Sequence, residues 1–324
     1  MTSQHRLRFF PIMLFASVMG LAGVSIAMTY FEQANGFQPM ISWLFFFIAC
    51  LLFLINGGIF IYRFVRYKED VINEFNHPVK MNFFGAISIS LLLISVPLLN
   101  YHSNLSFIIW LIGVLFQLIL TLNVLSKLIW KHYFQIQAFN ATWFIPLVGN
   151  IVVPLAGVEH VSMSINWIFF SIGILFSIIY MTVFIYRVYF HPAFPEPLKP
   201  SFFILLAPPG IGFSSYMRLA GEIDGFAWLL YGIAFYLGLL FLIQFKRFFT
   251  GKFFISWWAY LFPSAAVTNA TYMLYRETNE QLYLYIFQIQ SIGLIFLSLF
   301  LIWKTIELIR KRKLCIPGPE RNSN

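Results

Sequence analysis

Residues 253–274 read FFISWWAYLFPSAAVTNATYML, a stretch without a single charge and with a proline at its centre. At 1.5 Å per residue it is long enough, as a helix, to cross the roughly 30 Å hydrocarbon layer of a bilayer. Pro263 follows directly on the bulky Phe262. A proline inside a helix removes an amide donor and clashes with the carbonyl four residues earlier, here that of Ala259. In hydrocarbon the freed carbonyl has to be met by a neighbouring helix or by a water-lined cavity. The segment therefore belongs among other helices, beside a path.

The whole chain has the same character. Of 324 residues, 60% are hydrophobic and only 10% charged, where a soluble domain carries about 25% charged residues. This excludes a soluble globular fold and gives an all-α polytopic membrane protein, one transmembrane domain over 1–324. Apolar windows give ten expected spans, at 9–31, 40–63, 82–99, 105–128, 141–158, 164–188, 201–219, 226–246, 253–274 and 282–304. Of the 21 Lys and Arg residues, all but Arg218 and Arg276 fall on one side of such an arrangement, which puts both termini in the cytoplasm of a cell (inner or plasma) membrane. Residues 305–324 then form a short, basic cytoplasmic tail suited to lipid headgroups. The N-terminal apolar run continues to about Tyr30 with no distinct cleavage site, so it is expected to remain as the first helix. Basic residues flanking apolar spans report orientation, so the net charge of +9 does not call for a nucleic-acid partner. Cys50 and Cys315 are the only cysteines, too few for a disulfide framework.

The odd-numbered spans begin alike, at RFFPIML (8), KMNFFGA (80), ATWFIPL (141), KPSFFILLAPP (199) and FFISWWAYLFP (253), which suggests five helical hairpins in series. Pro11, Pro146, Pro154, Pro208, Pro209 and Pro263 all lie within odd spans, Pro97 ends another, and the even spans have no interior proline. With small residues such as Gly20, Gly23, Gly85, Gly149, Gly210 and Gly212, bent odd helices suit the lining of a central path, and straighter even helices suit an outer, lipid-facing ring. A second reading is that proline and glycine are common in membrane helices and that small residues serve close packing.

No Asp, Glu, Lys or Arg occupies the expected centre of a span, which argues against coupled transport through a buried carboxylate. There is no G-x-x-x-x-G-K-[ST] motif. His77 and His191 precede prolines and His160 follows Glu159, and all three read as turn residues. We therefore expect no metal site, no cofactor and no enzymatic activity. The odd spans carry Ser17, Ser88, Ser90, Asn150, Ser214, Ser215, Thr268 and Asn269, each of which either faces a path or packs. Asn56, Gln117, Asn166, Gln288 and Gln290 on even spans are candidate interhelical partners. A path lined by hydroxyls, amides and freed helix termini offers dipoles without a fixed binding charge, which suits weakly held anions.

Five stretches carry a resemblance to a known family: FFPIMLFASVMGLAG (9–23), RYKEDVINEFNHPVKMNFF (66–84), WFIPLVGN (143–150), ILLAPPGIGFSSY (204–216) and, most specifically, WWAYLFPSAAVTNA (257–270). The chain resembles the tellurite-resistance and dicarboxylate transporter family, which includes bacterial TehA and the plant guard-cell slow anion channel. The resemblance implies a homotrimer whose subunits each have a pore, formed by five inner helices from a quasi-fivefold ring of hairpins. It also implies a gating phenylalanine in the ninth helix, which Phe262 matches. The expected function is a channel for small monovalent anions. The alternative is a carrier of C4-dicarboxylates such as malate, or of an oxyanion such as tellurite or sulfite, for which Arg218 is a candidate pairing cation.

Overall fold

Backbone polar groups in hydrocarbon have to be satisfied within the protein, and a chain this apolar meets that demand with helices. The computed structural model describes residues 6–131, 135–249 and 251–316, helical throughout with no strand among them. The end of the expected tail, 317–324, lies outside the described residues. In chain order the main helices are α1 (Ile12–Asn35), α2 (Met40–Arg66), α3 (Lys80–Leu98), α4 (Ser103–Trp130), α5 (Ala141–Gly157), α6 (Met163–Phe190), α7 (Ala207–Ala220), α8 (Gly225–Ile243), α9 (Leu261–Thr278) and α10 (Gln281–Arg310). Seven of them are long and apolar enough to cross a membrane. The exceptions are α5, which is short, and α7 and α9, where the expected spans divide into a 3-10 segment followed by an α-helix.

That division recurs. Each odd-numbered segment begins with 3-10 turns: Ile12–Leu14, Lys80–Phe84, Ala141–Trp143, Glu196–Leu206 and Ile255–Tyr260. Most of the prolines stand at or near such junctions. Pro11 caps the first 3-10 turn, Pro146 is the third residue of the α-turn Phe144–Val148, and Pro154 opens the last turn of α5. Pro208 and Pro209 are the second and third residues of α7, and Pro263 the third of α9. In a first helical turn the amide has no intrahelical partner to lose, so proline costs little there. In α1, α5, α7 and α9 these prolines therefore stand at or just before the start of an α-segment, while Pro97 lies near the end of α3.

Burial alternates along the chain. The most apolar windows of α1 and α3 are 89% and 78% buried, whereas those of α2, α4, α6, α8 and α10 lie between 17% and 39%. α5, α7 and α9 are buried over most of their length. Each odd helix packs on the even helix after it, α1 touches both α3 and α9, α7 touches both α5 and α9, and α3 touches α5. Tight turns hold two of these pairs: Gly36 after α1 (φ +67°) and Gly221 after α7 (φ +77°) take left-handed conformations that glycine adopts without steric cost.

The broken α5 has its carbonyls met by α4. Gln117 Nε2 and Thr121 Oγ1 both donate to the Pro146 carbonyl, at 2.9 and 2.8 Å, and Trp110 Nε1 donates to that of Val153 at 3.0 Å. On its other side α5 is approached by α6 at Gly173, where a Cβ would lie 2.3 Å from Ile151 Cγ1 and 2.8 Å from its backbone nitrogen. The backbone cannot yield as a side chain would, so Gly173→Ala is expected to cost about 1–3 kcal/mol, measured as a lower apparent Tm in detergent.

The basic ends of the helices are anchored as well. Arg63, 1% exposed in the last turn of α2, donates Nε to the Arg8 carbonyl at 3.0 Å, Nη1 to that of Phe10 at 2.8 Å, and Nη2 to Glu74 Oε1 at 3.0 Å. Glu74 lies on the short helix Lys68–Asn76, which also carries Asp70, paired with Arg8 at 2.5 and 3.1 Å. That hydrogen bond raises the pKa of the Arg8 guanidinium above its ordinary value. Arg187 repeats the pattern at the end of α6, donating to the Pro192 carbonyl at 2.7 Å and lying 4.3 Å over the Phe194 ring.

Candidate functional site

The opening stretch folds as an anchor followed by a projecting ring. Within the 3-10 segment, Trp258 Nε1 donates to Thr305 Oγ1 of α10 at 3.0 Å, and the Tyr260 hydroxyl donates to the Phe248 carbonyl at 2.9 Å. Trp257 meets the rings of Phe249 and Phe300. These ties fix the first residues of α9 against α1, where two glycines one turn apart receive them. A Cβ on Gly20 would lie 2.9 Å from Leu261, and one on Gly23 would lie 3.4 Å from the Phe262 ring. Leu261 thus fills one notch and Phe262 leans over the next, 5% exposed.

Phe262 stands where two cavities meet. The larger, about 450 Å³, is walled by α1, α3, α7 and α9 together with Leu155 and Glu159, and has Phe262 and Ile211 among its lining. The smaller, about 40 Å³ and almost wholly apolar, shares those two side chains and continues past Pro263, Pro208 and Gly149 to Phe83 and Ala259. Phe83 and Ala259 in turn line a third cavity of about 200 Å³, with Thr142, Ser201 and Ser256 at its wall. Three spaces therefore follow one another, separated first by Phe262 with Ile211 and then by Phe83 with Ala259.

The narrow chamber has a register. If each α-segment is counted from the end of its 3-10 turn, the second residues are Ala16, Ala86, Ile145, Pro208 and Phe262. Four of these, all but Ala86, line the chamber. The fifth residues, Met19, Ile89, Val148, Ile211 and Ala265, follow suit for all but Ala265. Only the α9 segment places an aromatic ring at either position.

The polar candidates separate into two groups. Ser214 and Asn269 line the large cavity. Ser214 donates to the Gly210 carbonyl at 3.2 Å, Asn269 Nδ2 to that of Gly23 at 3.5 Å, and the buried Asn269 Oδ1 has no hydrogen-bond partner among the described residues. Ser17, Ser88, Ser90, Asn150, Ser215 and Thr268 line none of the three cavities. Ser17, Ser90 and Thr268 donate to carbonyls of their own helical segments, and Ser215 to that of Ile151 at 2.6 Å. Ser88 donates to Gln117 Oε1 at 2.5 Å, and Asn150 to Thr121 Oγ1 at 2.9 Å.

Among the glycines, Gly149 lines the chamber, while Gly20, Gly85 and Gly210 are points of close approach. A Cβ on Gly85 would lie 2.9 Å from Ile145, and one on Gly210 3.1 Å from the backbone of Ala266 and Val267. Pro11 lines a further cavity, beside Arg8 and Lys80, that shares Phe83 with the chamber. Pro146, Pro154 and Pro209 border none of the three cavities in line. His77 accepts amide hydrogens from Val79 and Lys80, and His160 Nε2 lies 2.9 Å from Ser106 Oγ.

Sequence reasoning missed the pairing of Arg218 Nη2 with Glu159 Oε1 at 2.8 Å across the wall of the large cavity, because the partners lie on different hairpins. It also missed the register of second residues, for which the signal was present in the repeated odd-span starts.

These features define a helical membrane protein with a row of internal cavities, the widest of them bounded by the Phe262 ring. The chain belongs to the voltage-dependent anion channel family, whose description matches residues 9–306. It is 25% identical to an uncharacterized transporter of Methanocaldococcus jannaschii, covering 93% of each chain. It is 26% identical to the S-type anion channel SLAH2 of Arabidopsis thaliana, covering 81% of this chain and 52% of that one. It is 24% identical to a tellurite resistance protein TehA homolog of Haemophilus influenzae, covering 89% of each. Families of this kind are anion channels and transporters in membranes.

Proposed function

We propose that the chain is a channel for small monovalent anions, gated by Phe262. The observation that carries the reading is the position of this ring at the junction of the wide cavity and the apolar chamber. An apolar constriction favours ions that shed water cheaply and closes by excluding water. The closed order of contacts α1, α3, α5, α7, α9 and back to α1, with the shared register at the chamber, supports five inner segments around one axis and ten crossings in all. The prolines at the junctions and the glycines at close approaches shape that axis, and Ser214 and Asn269 face the anion on its way. The exposed apolar faces of the even helices suit lipid and neighbouring copies in a homotrimer of separate pores. The basic helix ends lie in the cytoplasm, which makes the wide cavity the outer vestibule, in the cell membrane.

Anion-substitution recording tests this. Nitrate, the more easily dehydrated ion, is expected to carry more current than chloride through the opened channel. Equal currents with cations and anions would contradict it. A second reading is kept because Arg218 lines the vestibule: a carrier of dicarboxylates or oxyanions. Saturable malate uptake into proteoliposomes, lost in Arg218→Ala, would favour that alternative.

A further inference from the structure

We infer that Glu159 and Arg218 form a charge-balanced rim that sets how fast anions enter the wide cavity from its own side of the membrane. This rests on the channel reading above. They are the only ionisable Asp, Glu, Lys or Arg side chains lining that cavity among the described residues, so their pairing leaves its wall with no net formal charge. Arg218 stands in the last turn of α7, and Glu159 just past α5. Ile211, Ser214 and Arg218 follow one another up one face of α7, so at 1.5 Å per residue the guanidinium stands about 10 Å along the helix from the constriction. The pair guards the entrance and leaves the plug untouched.

The two side chains are 34% and 55% exposed, and an ion pair that exposed contributes little to stability. Either partner can therefore be neutralised without loss of the fold, and the consequence is electrostatic. Burial against Phe107 and Trp110 lowers the pKa of His160, outweighing the opposing pull of Glu159, and so favours its neutral form. A single unbalanced charge within about 8–10 Å of a passing ion changes its local concentration by about twofold in dilute salt, and the effect fades as the Debye length shortens.

The test uses full-length protein in planar bilayers in a Phe262→Ala background, with chloride as the probe. At ~10 mM salt, with chloride entering from the wide-cavity side, Glu159→Gln is expected to raise the current about twofold and Arg218→Gln to lower it about twofold. The two opposed changes cancel in the double variant. Both effects shrink at ~1 M salt, where the Debye length is about 3 Å, and both are weaker for chloride entering from the opposite side. Single variants that shift current in the same direction, or that leave it unchanged in dilute salt while eluting as folded protein, overturn the rim. If the Phe262→Ala parent passes no anion current at all, the channel reading fails and the rim falls with it.

Discussion

Replacing Phe262 by alanine is expected to raise anion current by about tenfold or more, the largest functional effect of any single substitution in this chain. The ring is the only aromatic side chain at the two register positions around the chamber, opposite Ala16, Ile145 and Pro208. Alanine there joins a cavity of about 450 Å³ to one of about 40 Å³. Removing as little as about 1.4 kcal/mol from the barrier to crossing gives a tenfold faster passage. The fold should tolerate the change, because Leu261 still fills the notch at Gly20, and Trp258 and Tyr260 still anchor the turn before it. Whole-cell or bilayer recording, with surface protein quantified alongside, checks the result.

The second large effect is on stability, at Arg63. Arg63→Met keeps most of the side-chain bulk but strands the Arg8 and Phe10 carbonyls and Glu74 Oε1, which its guanidinium now satisfies. Removing one partner of a buried charged network costs about 3–5 kcal/mol. Glu74 keeps some contact with solvent, its side chain 19% exposed, so the loss belongs at the low end, about 3 kcal/mol. A lower apparent Tm in detergent measures it. Arg63→Lys should recover only part, since an ammonium cannot reproduce the planar fork that reaches two carbonyls and a carboxylate at once.

Much of the architecture was legible because hydropathy and punctuation are local signals. The apolar runs mark the helices, and the clustering of prolines in odd segments marks which of them are buried. The same prolines misdirect in one respect. A sequence does not say whether a proline interrupts an α-helix or begins one, and Pro208 and Pro263 do the latter, after 3-10 turns. Polar residues were the least legible. A serine or threonine in a helix can bond the carbonyl three or four residues back, as Ser17 and Thr268 do, and nothing local distinguishes it from a side chain facing a cavity, such as Ser214.

Contacts between distant segments stayed hidden for the same reason. Arg63 and Arg187 look like ordinary cytoplasmic-end charges, yet both are buried and hold the chain that leads into or out of a helix. Glu32 ends α1 as one more acidic residue but accepts the Ile41 and Ser42 amides and the Ser42 hydroxyl at the start of α2. Gly173 looks like a packing glycine of an outer helix, and only the approach of Ile151 reveals what it excludes. Phe262 is one of 40 phenylalanines. Its neighbours Ser264, Ala265 and Ala266 hinted at space around it, but Gly23, against which the ring leans, lies far away in α1.

The claim that the Phe262 ring gates the path is tested most directly by a size series at position 262. Anion conductance measured for phenylalanine, leucine, valine and alanine at this position, each corrected for protein at the surface, should rise stepwise as the side chain shrinks. A series that leaves conductance unchanged from phenylalanine to alanine would contradict a gate at Phe262.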